Sequence, residues 1–299
     1  MLDSVRIRNF RCLKDVEVPL KPLTVLIGPN DSGKSAFLGG LCRLAGLPGK
    51  SKFDYWRGES QRKIITDGFE DGRKVGPGDS VVSPTRLFEL PSSGVETLSG
   101  GLSDDAGPPE LGQRGEHVPA LLDYLLRRNR GLFYKFVKAL CRLAPGVENV
   151  DVATPRADQR RIDLVIENDL CIPADRASVG VRLLIFFLAL AYHPLPPKLI
   201  LLEEPENGIH PRRLGEIMKL LREITKGKHG DHAAQIVLTT HSPYLLDFVD
   251  VKTDQILVFQ RNDDGSRSAE PIDKKKLKIF LDEFKPGEVW FNEGEKGLV

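Results

Sequence analysis

The feature that most constrains this chain is a glycine-rich stretch, residues 28–35, which joins an apolar segment to a helical one. The preceding segment, Leu23–Ile27, is a short apolar run of the kind found in strands buried on both faces of a sheet. The segment that follows, Ala36–Leu47, has the pattern of a helix and is stopped by Pro48 and Gly49. A strand, a glycine-rich turn and a helix in this order predict a P-loop, in which backbone N–H groups bind phosphate.

The stretch fits the Walker A pattern Gly-x-x-x-x-Gly-Lys-Ser. We expect Lys34 to neutralise the β- and γ-phosphates during catalysis and the Ser35 hydroxyl to ligand Mg²⁺. The sequence therefore predicts binding of ATP together with Mg²⁺. The expected nucleotide-binding residues are Gly28, Pro29, Asn30, Asp31, Ser32, Gly33, Lys34 and Ser35.

Two later apolar segments deliver polar side chains to the end of a strand. The first runs into Glu203 and Glu204, and an apolar strand that ends in two carboxylates is typical of a Walker B element. Glu203 would then hold the water shell of Mg²⁺, and Glu204 would orient and polarise the attacking water as a catalytic residue. The second runs through Thr239 to His241, which could hydrogen-bond the γ-phosphate or the attacking water. The alternatives are a solvated pair of glutamates at a strand end and a structural histidine.

Buried strands that alternate with helices predict an α/β fold with a largely parallel core sheet. Two segments near the N-terminus, Val5–Phe10 and Leu13–Leu20, alternate apolar and polar side chains and predict an additional antiparallel β subdomain. The expected strands of the core sheet are Leu23–Ile27, Lys198–Glu203, Gln235–Thr239 and Gln255–Gln260.

The pattern changes between these parts of the chain. We assign residues 1–48 and 160–299 to the ATPase core and residues 49–159 to an insertion. The second half of the insertion, His117–Ala144, is expected to form a helical lid with a break near Gly131. Further along, Val181–Tyr192 is apolar almost all round, which predicts a fully buried helix.

Composition and charge limit where the protein can be located and which partners it can bind. The formal net charge of +1 gives no general attraction to nucleic acid or membranes, so such binding would depend on a local patch. No apolar run approaches the roughly 20 residues of a membrane span, and the charged N-terminal segment is not a signal peptide. The four cysteines are scattered without a CxxC pair, which indicates reduced thiols. We expect a cytoplasmic protein with no membrane partner.

One local patch of positive charge lies in and next to the lid. It could bind the phosphate backbone of DNA, or it could be the solvated face of an amphipathic helix. Its acidic neighbours are Glu116 and Asp123. The basic residues are Arg114, Arg127, Arg128, Arg130, Lys135, Lys138 and Arg142.

The order of these motifs resembles the ABC-type ATPases of the RecF/SMC branch. More closely, it is similar to the AAA-family ATPases grouped with the OLD proteins, of the AAA_15/AAA_21 type. Residues 7–11 match the start of that branch, and residues 204–211 match its Glu-Glu-Pro-Glu-Asn-Gly stretch. The resemblance implies an ABC-ATPase-type head that forms a homodimer, head to tail, around two ATP molecules. Each nucleotide would be covered by a signature motif of the other subunit.

Two segments compete for the signature motif. Leu98-Ser99-Gly100-Gly101 has the transporter spelling but lies in Pro91–Arg114, which is expected to be a loop without a helix to direct at phosphate. Ala177-Ser178-Val179-Gly180 precedes Walker B and opens the buried helix, so its serine hydroxyl and N–H groups suit a γ-phosphate. We assign the signature to Ser178 and Gly180, although Ala177 replaces the usual leucine.

The chain departs from the family pattern at two further places. Glu203 stands where the family usually has aspartate. In the D-loop position, Asn207 and His210 could contact the opposite subunit, or His210 could cap the next helix. The family also places a glutamine near the metal, and we assign it to Gln61, the nearest candidate in sequence.

The resemblance implies an ATP hydrolase that couples hydrolysis in the dimer to a DNA-related or anti-phage defence process. A separate effector, such as a nuclease, is expected because OLD nucleases carry a Toprim domain after the ATPase, whereas this sequence ends at Val299 without an acidic nuclease cluster. The sequence has no long heptad region, so we do not expect SMC-like coiled-coil arms. The alternatives are a nucleotide-gated scaffold with little turnover and a DNA-clamping repair ATPase.

Overall fold

The computed structural model describes residues 1–47, 54, 63–76, 79–91, 96–100, 107–229, 232–272 and 285–293. The chain forms two compact units. The first comprises Met1–Leu87, Pro197–Pro205 and Ala234–Val299, and the second comprises Phe88–Pro196 and Glu206–Ala233. The two units are defined by the compactness of the structure. The division into a core and an insertion at residues 49–159 is based on the order of the sequence motifs and stays a prediction.

The described elements alternate between strands and helices along the chain. The strands are β1 (Ser4–Phe10), β2 (Leu13–Pro19), β3 (Leu23–Ile27), β4 (Ile65–Glu70), β5 (Arg73–Val75), β6 (Thr85–Glu89), β7 (Leu98–Gly100), β8 (Val147–Ala153), β9 (Gln159–Ile166), β10 (Leu170–Pro173), β11 (Leu199–Glu203), β12 (Gln235–Thr239), β13 (Gln255–Arg261) and β14 (Arg267–Pro271). The α-helices are α1 (Lys34–Leu44), α2 (Val118–Arg128), α3 (Arg130–Leu143), α4 (Val179–Ala191), α5 (Leu214–Thr225), α6 (Pro243–Leu246) and α7 (Pro286–Glu293).

The central sheet has the strand order β14-β13-β3-β12-β11-β6. Within it, β13, β3, β12 and β11 run parallel to one another, and β14 pairs antiparallel with β13. All five residues of β3 and of β12 are buried, which explains why these strands are apolar without alternation. The prediction of a largely parallel core sheet in an α/β fold is confirmed.

An antiparallel sheet with the order β2-β1-β4-β5 completes the strands of the first unit, as predicted for the N-terminal segments. Its alternating side chains, including Val16 and Val18, are buried in one hydrophobic core together with α1. In that core, Phe37 of α1 meets Phe259 of β13 edge to face with ring centroids 5.5 Å apart. This packing fixes the helix that begins at the glycine-rich loop against the sheet.

The second unit contains the predicted helical pair, and its break falls at Asn129, two residues before Gly131. Asn129 has non-helical backbone angles, and its side chain accepts a hydrogen bond from the N–H of Leu132, so it caps α3. Helix α4 contacts α2, α3 and α5, and its residues from Leu183 to Ala191 are buried. Contact on several sides explains a helix that is apolar all round.

Part of the expected loop Pro91–Arg114 is a strand. Residues Leu98–Gly100 form β7, which pairs antiparallel with β9. The sequence pattern missed it because the buried position is a serine and Leu98 is exposed. The Ser99 hydroxyl is satisfied by the N–H of Ala120, 3.1 Å away. The segment with the transporter spelling therefore lies on a strand up to Gly100, and it precedes no described helix directly.

None of the helices in the described ranges combines the length and the apolar character that a membrane span requires.

Candidate nucleotide-binding site

An open cleft of about 760 Å³ lies in the first unit, where β3, β11 and β12 end. The carboxyl ends of parallel strands form the usual ligand-binding edge of an α/β sheet. The structure thus brings the loop after β3 together with Glu204 after β11 and His241 after β12. The cleft is lined by Arg11, Cys12, Asn30, Asp31, Ser32, Gly33, Lys34, Ser35, Ala36, Asp54, Glu204 and His241.

Glycines shape the loop between β3 and α1. Gly28 has φ +144°, and a Cβ at this position would lie 2.4 Å from the carbonyl oxygen of Phe259 in the neighbouring strand. Gly33 has φ +102° at the N-cap of α1. Because side chains disfavour such backbone angles, glycine is required at both ends of the loop. The result is a backbone concavity followed directly by a helix N-terminus, a structure that binds phosphate.

Lys34 is buried inside this loop. Its Nζ donates hydrogen bonds to the carbonyl oxygens of Gly28 and Pro29 at 2.8 and 2.9 Å and to Ser32 Oγ at 3.4 Å. An ammonium group enclosed by the loop is well placed to meet a polyphosphate chain that enters the same concavity. The residues present therefore fit a nucleoside triphosphate.

The two side chains expected at the magnesium ion are in contact. Ser35 Oγ at the start of α1 donates a hydrogen bond to Glu203 Oε1 at the end of β11. Oxygen ligands of this kind fit Mg²⁺, which usually keeps one or two protein ligands and fills its remaining positions with phosphate oxygens and water. Among the described residues, no cluster of three or more His, Cys, Asp or Glu side chains is arranged to hold a metal. Gln61 lies outside the described residues.

Glu204 and His241 form a pair at the mouth of the cleft. Glu204 has a φ of +44°, and its backbone N–H donates to Thr239 Oγ1 at 3.1 Å. Glu204 Oε1 lies 3.1 Å from His241 Nε2. Burial and the nearby Lys34 ammonium lower the pKa of His241, against the opposing effect of Glu204. The imidazole is therefore neutral at pH 7 and donates its Nε2 proton to the carboxylate.

The cleft also contains residues that were not predicted for it. Arg11 Nε pairs with Asp54 Oδ1 at 3.1 Å, and both line the cleft. Cys12 lies beside them, and burial raises the pKa of its thiol. Arg267 of β14 contacts the loop at Asp31. Arg11 had a sequence signal in the match of residues 7–11 to the family, whereas Asp54 and Arg267 had none.

The assigned signature residues lie in the second unit and do not line the cleft. Ser178 is the N-cap of α4, and its Oγ accepts a hydrogen bond from the N–H of Val181 at 3.4 Å. A Cβ added to Gly180 would have no neighbour nearer than 3.9 Å, so the first turn of the helix is uncrowded. His210 Nδ1 accepts a hydrogen bond from the N–H of Arg212, so the histidine caps the short 3₁₀ turn that follows.

Comparisons with known proteins agree with this arrangement. Residues 94–247 match the AAA_21 family model, described as "AAA domain, putative AbiEii toxin, Type IV TA system". Residues 1–67, which include the glycine-rich loop, match the AAA_15 model, described as an AAA ATPase domain.

A curated relative shares a short segment with the chain. The OLD nuclease of Thermus scotoductus is 50% identical over 38 residues, which are 13% of this chain and 7% of that protein. The chain thus matches only a small part of this relative.

Solved structures of SMC heads share the fold. An SMC head bound to the C-winged helix domain of ScpA has a TM-score of 0.59 and 15% identity, with 92% of this chain and 99% of that chain covered. An SMC head domain with an extended coiled coil, bound to a C-terminal domain of ScpA and derived from Pyrococcus furiosus, has a TM-score of 0.57, 12% identity and coverages of 94% and 98%.

The architecture is therefore that of an SMC head, and the cleft holds the loop expected of a nucleotide-binding ATPase. The AAA_21 model alone spans slightly more than half of the chain. The chain belongs to the AAA_21 family, and its residues 1–67 also match the AAA ATPase domain model AAA_15.

Proposed function

We propose that the protein hydrolyses Mg-ATP in a head-to-tail homodimer, in the cytoplasm, and couples hydrolysis to a DNA-related or anti-phage defence process through a separate effector. The hydrolytic part of the proposal depends on three features that the structure brings together at one cleft. They are the enclosed Lys34 ammonium, the contact of Ser35 with Glu203, and the contact of Glu204 with His241.

The loop and its two oxygen ligands would bind the nucleotide. Residues 28–35 would surround the phosphates with backbone N–H groups, and Lys34 would carry the positive charge that offsets the terminal phosphates. Ser35 and Glu203 would hold Mg²⁺, which supplies charge neutralisation at the phosphate oxygens when it is bound. Because Glu203 is one methylene longer than the usual aspartate, we expect it to act mainly on the water shell of the ion.

Glu204 would accept a hydrogen bond from the attacking water and orient it, as a general base. A neutral His241 that donates to the same carboxylate would hold Glu204 in one orientation. The left-handed backbone of Glu204 and its bond to Thr239 fix the base further. The cleft therefore contains a base whose position is set by two strands of the sheet.

Ser178 and Gly180 would complete the site of a second subunit. The N-terminus of α4 presents a hydroxyl and backbone N–H groups without a crowding side chain at Gly180. In the head-to-tail dimer that the family resemblance implies, these groups would meet the phosphates bound by another copy. The SMC-head fold supports this arrangement.

Glu204→Gln tests the proposal directly. The amide keeps the size of the side chain but cannot accept a proton, so steady phosphate release should fall by about 10²–10⁴-fold while Mg-ATP still binds. Size-exclusion chromatography with ATP should then show a dimer that persists. Glu216→Gln, at an exposed glutamate of α5, is the matched control. Phosphate release at the wild-type rate by Glu204→Gln would refute the assigned base.

Two other functions have a specific observation in their favour. The degenerate signature favours a nucleotide-gated scaffold with little turnover. All seven basic side chains of the lid region are exposed, which favours a DNA-clamping ATPase. The same phosphate-release assay, run with duplex DNA at low and high salt, separates them: a scaffold shows little turnover under every condition, whereas a DNA clamp shows stimulation that salt removes.

A further inference from the structure

A buried arginine from the far edge of the sheet reaches the glycine-rich loop. Arg267 is the first residue of β14, and only 6% of it is exposed. Its Nε donates to the carbonyl oxygen of Asp31 at 2.6 Å, and its Nη2 donates to Asp31 Oδ2 at 2.7 Å. One guanidinium therefore holds both the backbone and the side chain of a loop residue that is 236 positions away.

The arginine is itself fixed by the turn before β14. Its Nη1 donates to the carbonyl oxygen of Gly265 at 2.7 Å. In the same turn, Asp264 accepts hydrogen bonds from the N–H and the hydroxyl of Ser266. These bonds, together with the Lys14 ammonium, lower the pKa of Asp264 to about 2. The donor that meets the loop thus comes from an ordered hairpin.

Asp31 needs such a partner for two reasons. Its φ is +61°, a backbone conformation that costs energy for a residue with a side chain. Its carboxylate is 80% exposed and lines the cleft in which the phosphates would bind, so its negative charge opposes an anionic ligand. Arg267 offsets both the backbone cost and the negative charge of Asp31, because it donates to the carbonyl oxygen and places a positive charge beside the carboxylate.

We propose that Arg267 is a positioning residue for the nucleotide: it presets the loop at Asp31 and offsets the charge of that carboxylate, so that the cleft binds ATP more tightly. This inference rests on the nucleotide-binding part of the proposed function and not on hydrolysis or dimerisation. Arg267 would act through Asp31 and would not touch the phosphates.

Packing alone is the competing explanation, because a Cβ on Gly33 would lie 3.2 Å from Arg267 Cγ. The variants are chosen to separate the two. Arg267→Met keeps an unbranched stem against Gly33 but removes the charge and the donors. Asp31→Asn removes the carboxylate charge and keeps the shape. Arg267→Lys keeps a positive charge but loses the bidentate pair of hydrogen bonds to Asp31.

The measurement is titration with a fluorescent N-methylanthraniloyl ATP, together with thermal unfolding of each variant. Arg267→Met should weaken binding by at least about tenfold, and Arg267→Lys should weaken it less. Adding Asp31→Asn to Arg267→Met should recover much of the lost affinity, because the uncompensated carboxylate is gone.

Unchanged affinity in Arg267→Met would overturn the inference. So would a double variant that binds as weakly as Arg267→Met while both melt at the same lowered temperature, since that result indicates packing alone. A wild-type protein that binds the nucleotide but releases no phosphate refutes the proposed hydrolysis and leaves this inference standing. If the wild-type protein binds the nucleotide no better than a Lys34→Ala control, both the proposed function and this inference are refuted.

Discussion

Gly28 shows how a single residue sets the path of the loop. Its positive φ and the carbonyl oxygen of Phe259 leave no room for a side chain. We expect Gly28→Ala to lower the free energy of unfolding by about 1–3 kcal/mol and to abolish nucleotide binding, since the obstructing atom is backbone in a central strand. Urea unfolding and nucleotide titration measure the two effects.

Gly76→Ala is the matched control, because a Cβ at Gly76 would meet nothing within 4 Å. This variant should change stability by no more than about 0.5 kcal/mol. If Gly28→Ala behaved like Gly76→Ala, the close approach of the loop to β13 would be wrong.

The residues of the cleft differ in how far sequence could predict them. The loop is contiguous, so spacing alone identifies Lys34 and Ser35. Glu204 and His241 follow apolar segments, and the topology of a parallel sheet brings strand ends together. Arg267 and Asp54 contact the cleft through pairings between distant segments, and nothing in their local sequence carries that information.

At the scale of elements, His193 ties the segment after α4 to an irregular part of the second unit. Its Nε2 donates to the carbonyl oxygen of Pro109 at 2.9 Å, and its Nδ1 accepts from the N–H of Leu195 at 3.0 Å. The bond accepted by Nδ1 requires the neutral imidazole, because a protonated Nδ1 cannot accept. Burial lowers the pKa of His193 accordingly.

This arrangement makes stability depend on pH. Below about pH 6.5 the unfolded chain binds a proton that the folded histidine resists, so the free energy of unfolding should fall as the pH falls towards the lowered folded pKa. His193→Gln supplies similar hydrogen bonds but does not titrate. The stability advantage of the wild type over this variant should therefore shrink between pH 7 and pH 5 in urea unfolding.

His241 also has a lowered pKa, but it is present in both proteins and cancels in the difference. A difference that stays constant with pH would contradict a neutral, buried His193.

Elements with a clear apolar pattern were predicted within a few residues, and elements without one were not. β3 and β12 have the expected bounds because they are buried on both faces. β7 escaped prediction because its buried position is the polar Ser99, which finds its partner only in the tertiary structure. The helix break lies at Asn129, close to the predicted position, and a local side-chain cap sets it.

At the scale of the whole molecule, the proposed head-to-tail dimer predicts complementation between two inactive chains. Lys34→Ala disables a chain's own loop, and Ser178→Arg disables the signature that it offers to its partner. Each variant alone should lack turnover. A mixed dimer has one intact site, so random mixing should restore up to about a quarter of wild-type phosphate release.

Mixing Lys34→Ala with Glu204→Gln is the control, since both changes lie in the same chain's cleft and its mixed dimer has no intact site. No recovery in the Lys34 and Ser178 mixture would contradict a shared site built from both subunits.

The contacts of Lys34 have a consequence for which phosphates the protein retains. Its ammonium is already satisfied by two carbonyl oxygens and a hydroxyl, so any ligand must replace these bonds before it gains from the charge. A lone orthophosphate gains little from that exchange, whereas a triphosphate adds contacts along the entire loop. In the proposed hydrolysis, the loop would therefore bind small anions less well than a triphosphate and would release the cleaved phosphate more readily.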